Sequence, residues 1–566
     1  MSVSRRGLIA AAAGANLFAG VSLLAGAARA AKPAKPSRTG AGPFLPSWDS
    51  FEAQYKTPEW FRDAKLGIWA HWGPQCAPER GDWYGRQMYI QGNEYYDYHV
   101  KTYGHPSEFG FMDVINTWKV DRWDPQRLVG LYKKAGAKYF VQLACHHDNF
   151  DTYDSKYHNW NATKLGPKRD IVGGWRPHVL DAGLRFGVSN HAAHAWHWWQ
   201  TAYGYDAEGP KQGVRYDAFT RHKADGKGKW WDGYDPQELY TGPHSGPNGS
   251  FVPPDGITSI KAMNAFNESH SGQWLETPPV NEPWYAKQWL LRQKDLVETY
   301  HPDYIYLDNQ VMPLGDAGLE AVAHFYNANM AWNGSLEAVI STDALSDEQA
   351  RGVTNSVERG FSDRLRPSPW QTATCIGQWH YDRRIYDNDG YKTAKQVIQR
   401  LIDTVAKNGN LLLSIPVRGN GEIDDKEEKV LAGMADWMAV NGEAIFATRP
   451  WDIYGEGPVQ FSNAQFNEAQ ATKLGAEDIR FTTKDGVLYA LAEDWPDSQS
   501  QGGGYMTIYS MAEGSPHRKG NVERVELLGH GEPLKFQMGL SGLTVKLPDA
   551  RPAFTPVLKI MGSGVV

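Results

Sequence analysis

Tyr304-Ile305-Tyr306-Leu307-Asp308-Asn309 and Val357-Glu358-Arg359-Gly360 are each a short apolar run that ends in one carboxylate. Runs of this kind read as buried strands, and in a parallel β/α barrel the C-terminal strand ends point into the active site. Two carboxylates placed there are the minimum machinery for hydrolysing a glycosidic bond, with Asp308 as nucleophile and Glu358 as general acid. Each also has a plain structural reading: Asp308 as a helix cap or the partner of a distant arginine, Glu358 as half of an ion pair with Arg359.

Further residues suited to sugar recognition sit at other strand ends. His146-His147-Asp148 follows the apolar run Tyr139–Ala144, and His71-Trp72 follows Leu66–Trp69. Adjacent histidines on a strand end point to opposite sides and do not chelate as an HExxH helix does, so donation to hydroxyls suits them better than zinc. Asp82-Trp83-Tyr84 lies in the loop after His71. His191, His194 and His197, with Trp196, Trp198 and Trp199, crowd the loop after Phe186–Ser189. That cluster reads as an aromatic sugar platform, with a zinc hydrolase as the lesser reading. Neither a GxSxG elbow nor a P-loop occurs.

The elements that must position these residues follow from the pattern. At 566 residues two or three domains are expected. A net charge of −7 gives no basic field for nucleic acid. The 23 Trp, 28 Tyr and 20 Phe give many rings able to lie on sugar faces, although most must pack in the core. Cys76, Cys145 and Cys375 are too few and scattered for a disulfide framework or metal cluster, and each reads as a buried thiol.

From about 48 to 446, β-like runs alternate with amphipathic helices, as in an α/β parallel barrel. The strands expected are Leu66–Trp69, Tyr139–Ala144, Phe186–Ser189, Tyr304–Leu307, Ala338–Ser341, Asn355–Val357 and Leu411–Ile415. Helices start at Asp124-Pro125, Thr393 and Asp424, the last with Glu427 in capping-box position, and stop near Gly136, Asn408-Gly409 and Asn441-Gly442. Residues 203–282, rich in Gly, Pro, Asp and Lys, read as a long insertion in a barrel loop. After about 447 short strands follow one another, so 447–566 is expected to be an all-β sandwich.

The N-terminus reads as a targeting segment. Arg5-Arg6 is a twin-arginine pair, an Ala/Leu/Gly-rich run follows, and Ala28-Arg29-Ala30 offers a cleavage site. Residues 1–30 are therefore expected to be removed after export to the periplasm or beyond, ahead of a flexible leader, 31–47. An uncleaved membrane anchor is the rival. No later segment is apolar and long enough to cross a membrane.

Together these motifs resemble the family 29 α-L-fucosidases. Phe61-Arg62-Asp63-Ala64-Lys65-Leu66-Gly67-Ile68-Trp69-Ala70-His71-Trp72-Gly73 resembles their opening strand, and Ala135–Tyr139 leading to His146-His147-Asp148-Asn149-Phe150 resembles the second. Asn410–Pro416 with Gly419-Asn420-Gly421, and Asn441–Ile445, resemble the segment that closes the barrel. The resemblance implies a (β/α)8-like barrel followed by a β-sandwich, and a retaining exo-hydrolase of terminal α-L-fucose on glycans that needs no metal or organic cofactor. It implies that Asp308 is the nucleophile, that His71, His146 and His147 contact fucose hydroxyls, and that Trp83 lies beside the sugar. Trp83 or Trp379 is expected against the C5-methyl side, and Asp82 stands where many members carry Glu. A tyrosine often found after the third strand is replaced near Ser189-Asn190. Where many members have Trp-Glu, this chain has Trp370-Gln371, which cannot transfer a proton; Glu358 is then the acid/base, with Glu337 and Asp363 as fallbacks.

Retention calls for carboxyl groups roughly 5–5.5 Å apart, against ~6.5–9.5 Å for inversion. Two rivals remain. An α-L-galactosidase would share the site, because an apolar pocket rejects one added hydroxyl only modestly. A non-hydrolytic carbohydrate-binding protein would be expected to lack one of the two carboxylates.

Overall fold

A computed structural model describes residues 42–242, 252–271, 283–496 and 504–566. The expected targeting segment, the leader up to residue 41 and parts of the 203–282 insertion lie outside the described residues. The end of the expected flexible leader is instead fixed: Phe44 is buried, and its amide and carbonyl pair with the Asn327 side chain at 3.0 and 2.9 Å. Eight parallel strands close into a barrel in sequence order: β1 (Leu66–Ala70), β2 (Tyr139–Cys145), β3 (Arg185–Asn190), β4 (Tyr304–Gln310), β5 (Val339–Asp343), β6 (Thr354–Glu358), β7 (Trp370–Cys375) and β8 (Gly409–Ser414). β1 pairs with both β2 and β8, with Gly67 opposite Tyr139 and Leu412. Seven strands lie where the apolar runs place them. β7 does not announce itself: its inward Gln371 and outward threonines Thr372 and Thr374 break any apolar run.

Helices cross between strands as a right-handed barrel requires. They include α1 (Pro125–Lys134), α2 (Ile171–Asp181), α3 (Pro283–Tyr300), α4 (Asp316–Asn333), α5 (Ala394–Ala406) and α6 (Asp425–Asn441). The caps form as expected: Asp124 accepts from the Arg127 amide, and Asp424 and Glu427 form a reciprocal box. No α-helix links β5 to β6 or β6 to β7 among the described residues.

The 203–282 region lies in the β3–β4 connection. Its described parts fold into short helices, Asp217–Thr220, Pro236–Leu239 and Ile260–Ser269, with Trp231 and Tyr240 fully buried.

Two antiparallel sheets follow, β9 (Arg449–Glu456), β10 (Ile479–Lys484), β11 (Val487–Ala492), β12 (Tyr505–Ile508), β13 (Asn521–Leu527), β14 (Phe536–Gly539), β15 (Gly542–Lys546) and β16 (Val557–Ser563). The order is β13-β16-β11-β10-β9 in one sheet and β12-β15-β14 in the other. Trp451, Phe481, Leu488, Ile508, Leu543 and Ile560 from both sheets share one core, which makes the pair a sandwich. The sequence alone marks strands at Ile479–Thr482, Val487–Ala492, Tyr505–Tyr509, Val522–Leu528 and Leu543–Leu547, and β9, β14 and β16 are additions to them. β9 contains Pro450 and Gly455, and β14 is only four residues long.

Candidate active site

Alternation along the strands decides which side chains face the barrel interior. Trp69 on β1, Tyr139 and Val141 on β2, Tyr304 and Tyr306 on β4 and Val339 on β5 share one packed interior cluster. Gly67 makes room there, because a Cβ on it would stand 2.3 Å from the Tyr139 ring. With a period of two, the next inward positions are His71 after Trp69, Asp308 after Tyr306 and Asp343 two steps after Val339. Ser189 on β3 accepts from Trp69 Nε1 at 3.0 Å, and the next inward step is His191. Aromatic rings therefore fill the barrel, and polar groups stand at its mouth.

Asp308 is gripped by imidazoles. His191 Nδ1 donates to its Oδ2 at 2.9 Å, His147 Nε2 lies 3.4 Å from the same oxygen, and His194 Nε2 donates to its backbone carbonyl at 2.7 Å. Burial alone pushes the carboxyl up, but the fields of His191 and His147 and the His191 hydrogen bond outweigh it and hold Asp308 below the usual carboxylate range. Its side chain keeps 23% exposure, enough to meet a ligand.

Glu358 ends β6 and accepts from Trp379 Nε1 at 3.0 Å. Burial pushes its carboxyl well above the usual value, and the charges of Asp308 and Asp343 push the same way, against Arg359 and the Trp379 bond. One oxygen from each of Asp308, Asp343 and Glu358 lies within 4.8 Å of the others. Asp343 is 4% exposed and accepts from Tyr306 Oη at 3.5 Å. Sequence reading missed it; its parity with Val339 on an apolar strand was the signal available.

The histidines divide donors from acceptors. Gln75 Nε2 donates to His146 Nδ1 at 2.8 Å, which leaves the proton of His146 on Nε2. His147 Nδ1 donates to the His191 carbonyl at 3.0 Å, which leaves its Nε2 as an acceptor in the neutral ring. Burial, then the neighbouring imidazole charges, hold His71 and His146 well below the usual histidine value. Burial also holds His147 well below that value and lowers His191, against the pull of Asp308. Neutral rings with fixed tautomers suit hydroxyl groups, each of which both donates and accepts. Arg292 on α3 holds the loop that carries the pair, donating to Asp151 at 3.1 Å and Asn149 at 2.7 Å.

Trp379 lies 5.2 Å from the His71 ring and 5.4 Å from Trp69. Trp83 meets His147 edge-on at 5.7 Å. Asp82 is beside the site and accepts from the Trp379 and His380 amides at 3.2 and 2.7 Å, so it shapes the turn that presents Trp379.

Other expectations are corrected. Trp196, Trp198 and Trp199 are at most 1% exposed and pack in the core, so they form no sugar platform. His191 and His194 turn to Asp308, whereas His197 lies toward Arg86, whose guanidinium donates to its carbonyl. Glu337 pairs with Arg185 at the start of β3, the barrel's opposite end, and Asp363 is exposed in the β6–β7 link. Gln371 is fully buried within the barrel, accepting from Tyr139 Oη at 2.9 Å and donating to Tyr304 Oη at 2.7 Å. The three cysteines are buried free thiols.

Among the described residues three groups bring metal-ligating atoms together: His71 with His146 and His191, His147 with His191 and Asp308, and the three carboxylates. In the second, His191 Nδ1 carries the proton it donates to Asp308. A cation needs lone pairs, but Gln75 occupies that of His146 and leaves an N–H on its other nitrogen. In the carboxylate group, Asp308 and Glu358 already accept from His191 and Trp379. This donor and acceptor mixture fits a polyhydroxylated ligand better than an ion.

The α-L-fucosidase family profile matches residues 32–443, and that of the α-L-fucosidase C-terminal domain matches residues 473–561. The chain is 26% identical over 529 residues to an α-L-fucosidase of Branchiostoma floridae, covering 90% of this chain and 92% of that one. It is 26% identical over 526 residues to plasma α-L-fucosidase of Homo sapiens, covering 89% of each. The solved α-fucosidase of Thermotoga maritima shares its fold, with a TM-score of 0.63 at 23% identity over 92% of this chain and 100% of that one. With a profile match over most of its length, the chain belongs to the α-L-fucosidase family.

Proposed function

We propose that the chain removes terminal α-L-fucose from glycans with retention, using Asp308 as nucleophile and Glu358 as acid/base. The observation that carries this is a pair of carboxyls on nearby strands, within 4.8 Å, whose surroundings push them apart: imidazoles keep Asp308 ionised, and burial beside acids keeps Glu358 protonated. That approach suits direct attack, and not the ~6.5–9.5 Å gap that an inverting water needs. Asp308 attacks the anomeric carbon while Glu358 protonates the departing oxygen. Glu358 then takes a proton from the water that releases fucose. His146 and His147 offer one donor and one acceptor to hydroxyls, His71 and His191 further ring nitrogens, and Trp83 and Trp379 apolar faces.

The test is hydrolysis of 4-nitrophenyl α-L-fucoside by wild type, Asp308→Gly and Glu358→Ala, with and without azide. Asp308→Gly is expected to lose at least ~10⁴-fold in kcat, and azide is expected to give β-fucosyl azide. Glu358→Ala is expected to lose about 10²–10⁴-fold on substrates with poor leaving groups and to give α-fucosyl azide. Full activity in Asp308→Gly overturns the assignment.

We also infer twin-arginine export, on the strength of Arg5-Arg6 and the Ala28-Arg29-Ala30 site. Among the described residues no helix is long and apolar enough to cross a membrane. Replacing both arginines by lysine should leave the enzyme in the cytoplasmic fraction.

A further inference from the structure

The segment between β9 and β10 leaves the sandwich and lies against the end of β6, beside the β6–β7 link that has no helix of its own. The Phe466 amide donates to the Glu358 carbonyl at 2.9 Å, and the Glu468 amide donates to the Arg359 carbonyl at 3.0 Å. Phe361 forms bridges to Asn463 and Ala464, and its ring stacks on Phe461 at 3.9 Å. Gly360 permits this approach, since a Cβ there would stand 2.0 Å from the Ala464 carbonyl oxygen. Glu468 is fixed in turn: it accepts from Thr374 Oγ1 at 2.8 Å and Lys392 Nζ at 3.1 Å, with Arg359 Nε at 3.8 Å.

Within this clamped run Phe466 stands out on two counts. Its backbone is left-handed, with φ at +56°, a conformation disfavoured for a bulky side chain and kept only where flanking contacts impose it. Its ring is 52% exposed, in a segment whose neighbours Phe361 and Phe461 are buried. A strained, exposed aromatic is thus held, backbone to backbone, beside the strand end that carries Glu358. Glu358 delivers its proton to the leaving oxygen, so the aglycone must lie on the Glu358 side of the site.

We propose that Phe466 is an aglycone platform, on which the first sugar of the leaving group packs, so that the C-terminal domain takes part in substrate choice. The inference rests on the acid/base reading of Glu358. A flat apolar ring offers contact to a pyranose face without fixing its hydroxyls, which suits an aglycone more than the fucose, whose hydroxyls the histidines address.

The experiment compares wild type, Phe466→Ala and Phe466→Trp on α-L-fucosyl fluoride, which has no aglycone sugar, and on fucosyl disaccharides of 1→2, 1→3, 1→4 and 1→6 linkage. Phe466→Ala should lose about 3- to 10-fold in kcat/KM on the disaccharides that wild type cleaves. It should stay within about twofold on the fluoride, and Phe466→Trp should keep both activities. Equal losses on fluoride and disaccharide, or undiminished disaccharide cleavage by Phe466→Ala, overturn the platform. So does a wild type that takes the fluoride and no disaccharide. A wild type that cleaves neither overturns the fucosidase reading itself, and the platform with it.

Discussion

At the scale of single residues, the site works by placing like groups in unlike surroundings. Asp308 and Glu358 share one mouth, yet one faces imidazole donors and the other an indole and a third carboxylate. The pH profile follows with definite signs. In the roles proposed above Asp308 must be ionised, so kcat/KM is expected to fall as pH drops through its depressed value; Glu358 must be protonated, so kcat/KM is expected to fall as pH rises through its raised value. Asp343→Asn removes a negative charge beside Glu358, and its alkaline limb should move to lower pH with the acid limb unmoved. His191→Ala leaves Asp308 buried without its donor, and its acid limb should move to higher pH. Profiles that do not shift would mean that these neighbours do not set the two carboxyls. Asp308 and Glu358 were legible because each ends a short strand-like run. Asp343 ends one as well, but its closeness to Glu358 depends on two strands meeting.

At the scale of elements, the inward column of β4 carries two packing positions, Tyr304 and Tyr306, and then one polar position, Asp308. Such columns tolerate little added volume. Gly67→Ala drives a methyl into the Tyr139 ring, and overpacking of this kind costs about 1–3 kcal/mol. Thermal unfolding should show the loss, and an unchanged melting temperature would mean that Tyr139 has room to move. β7 was the barrel strand hidden from the sequence. Its inward Gln371 bridges two tyrosine hydroxyls within the barrel, which an apolar-run search does not reward. Trp196, Trp198 and Trp199 misled in the opposite sense. Their composition suits a sugar face, but burial in the core is a property of the packed loop and not of the four-residue stretch 196–199.

At the scale of the whole molecule, barrel and sandwich are joined through buried charge as well as apolar contact. Asp403 on α5 binds Lys407 at 2.8 Å and Arg480 of β10 at 2.8 Å, all three side chains at most 2% exposed. Breaking such a pair strands buried charge and costs about 3–5 kcal/mol. Asp403→Ala should therefore lower the urea midpoint markedly, and a variant as stable as wild type would show the network to be dispensable. Trp437 of α6 donates to the Thr555 carbonyl at 3.0 Å, and Thr482 donates to the Ala444 carbonyl at 2.7 Å, so the junction is held at several points. The C-terminal domain also sends a segment to the end of β6.

The chain by itself determined what is written in contiguous residues: the alternation that turns Asp308 inward, the capping boxes and prolines that start helices, and the succession of elements that makes a barrel followed by strands. Only the tertiary structure decided which groups meet. Pairing of β5 with β6 brings Asp343 to Glu358, packing sends three tryptophans to the core, and domain docking sets Phe466 beside the end of β6. The division has a physical cause. Periodicity and capping act over a few neighbouring residues, whereas a hydrogen bond such as that from Phe466 to Glu358 spans more than a hundred and exists only when the domains have packed.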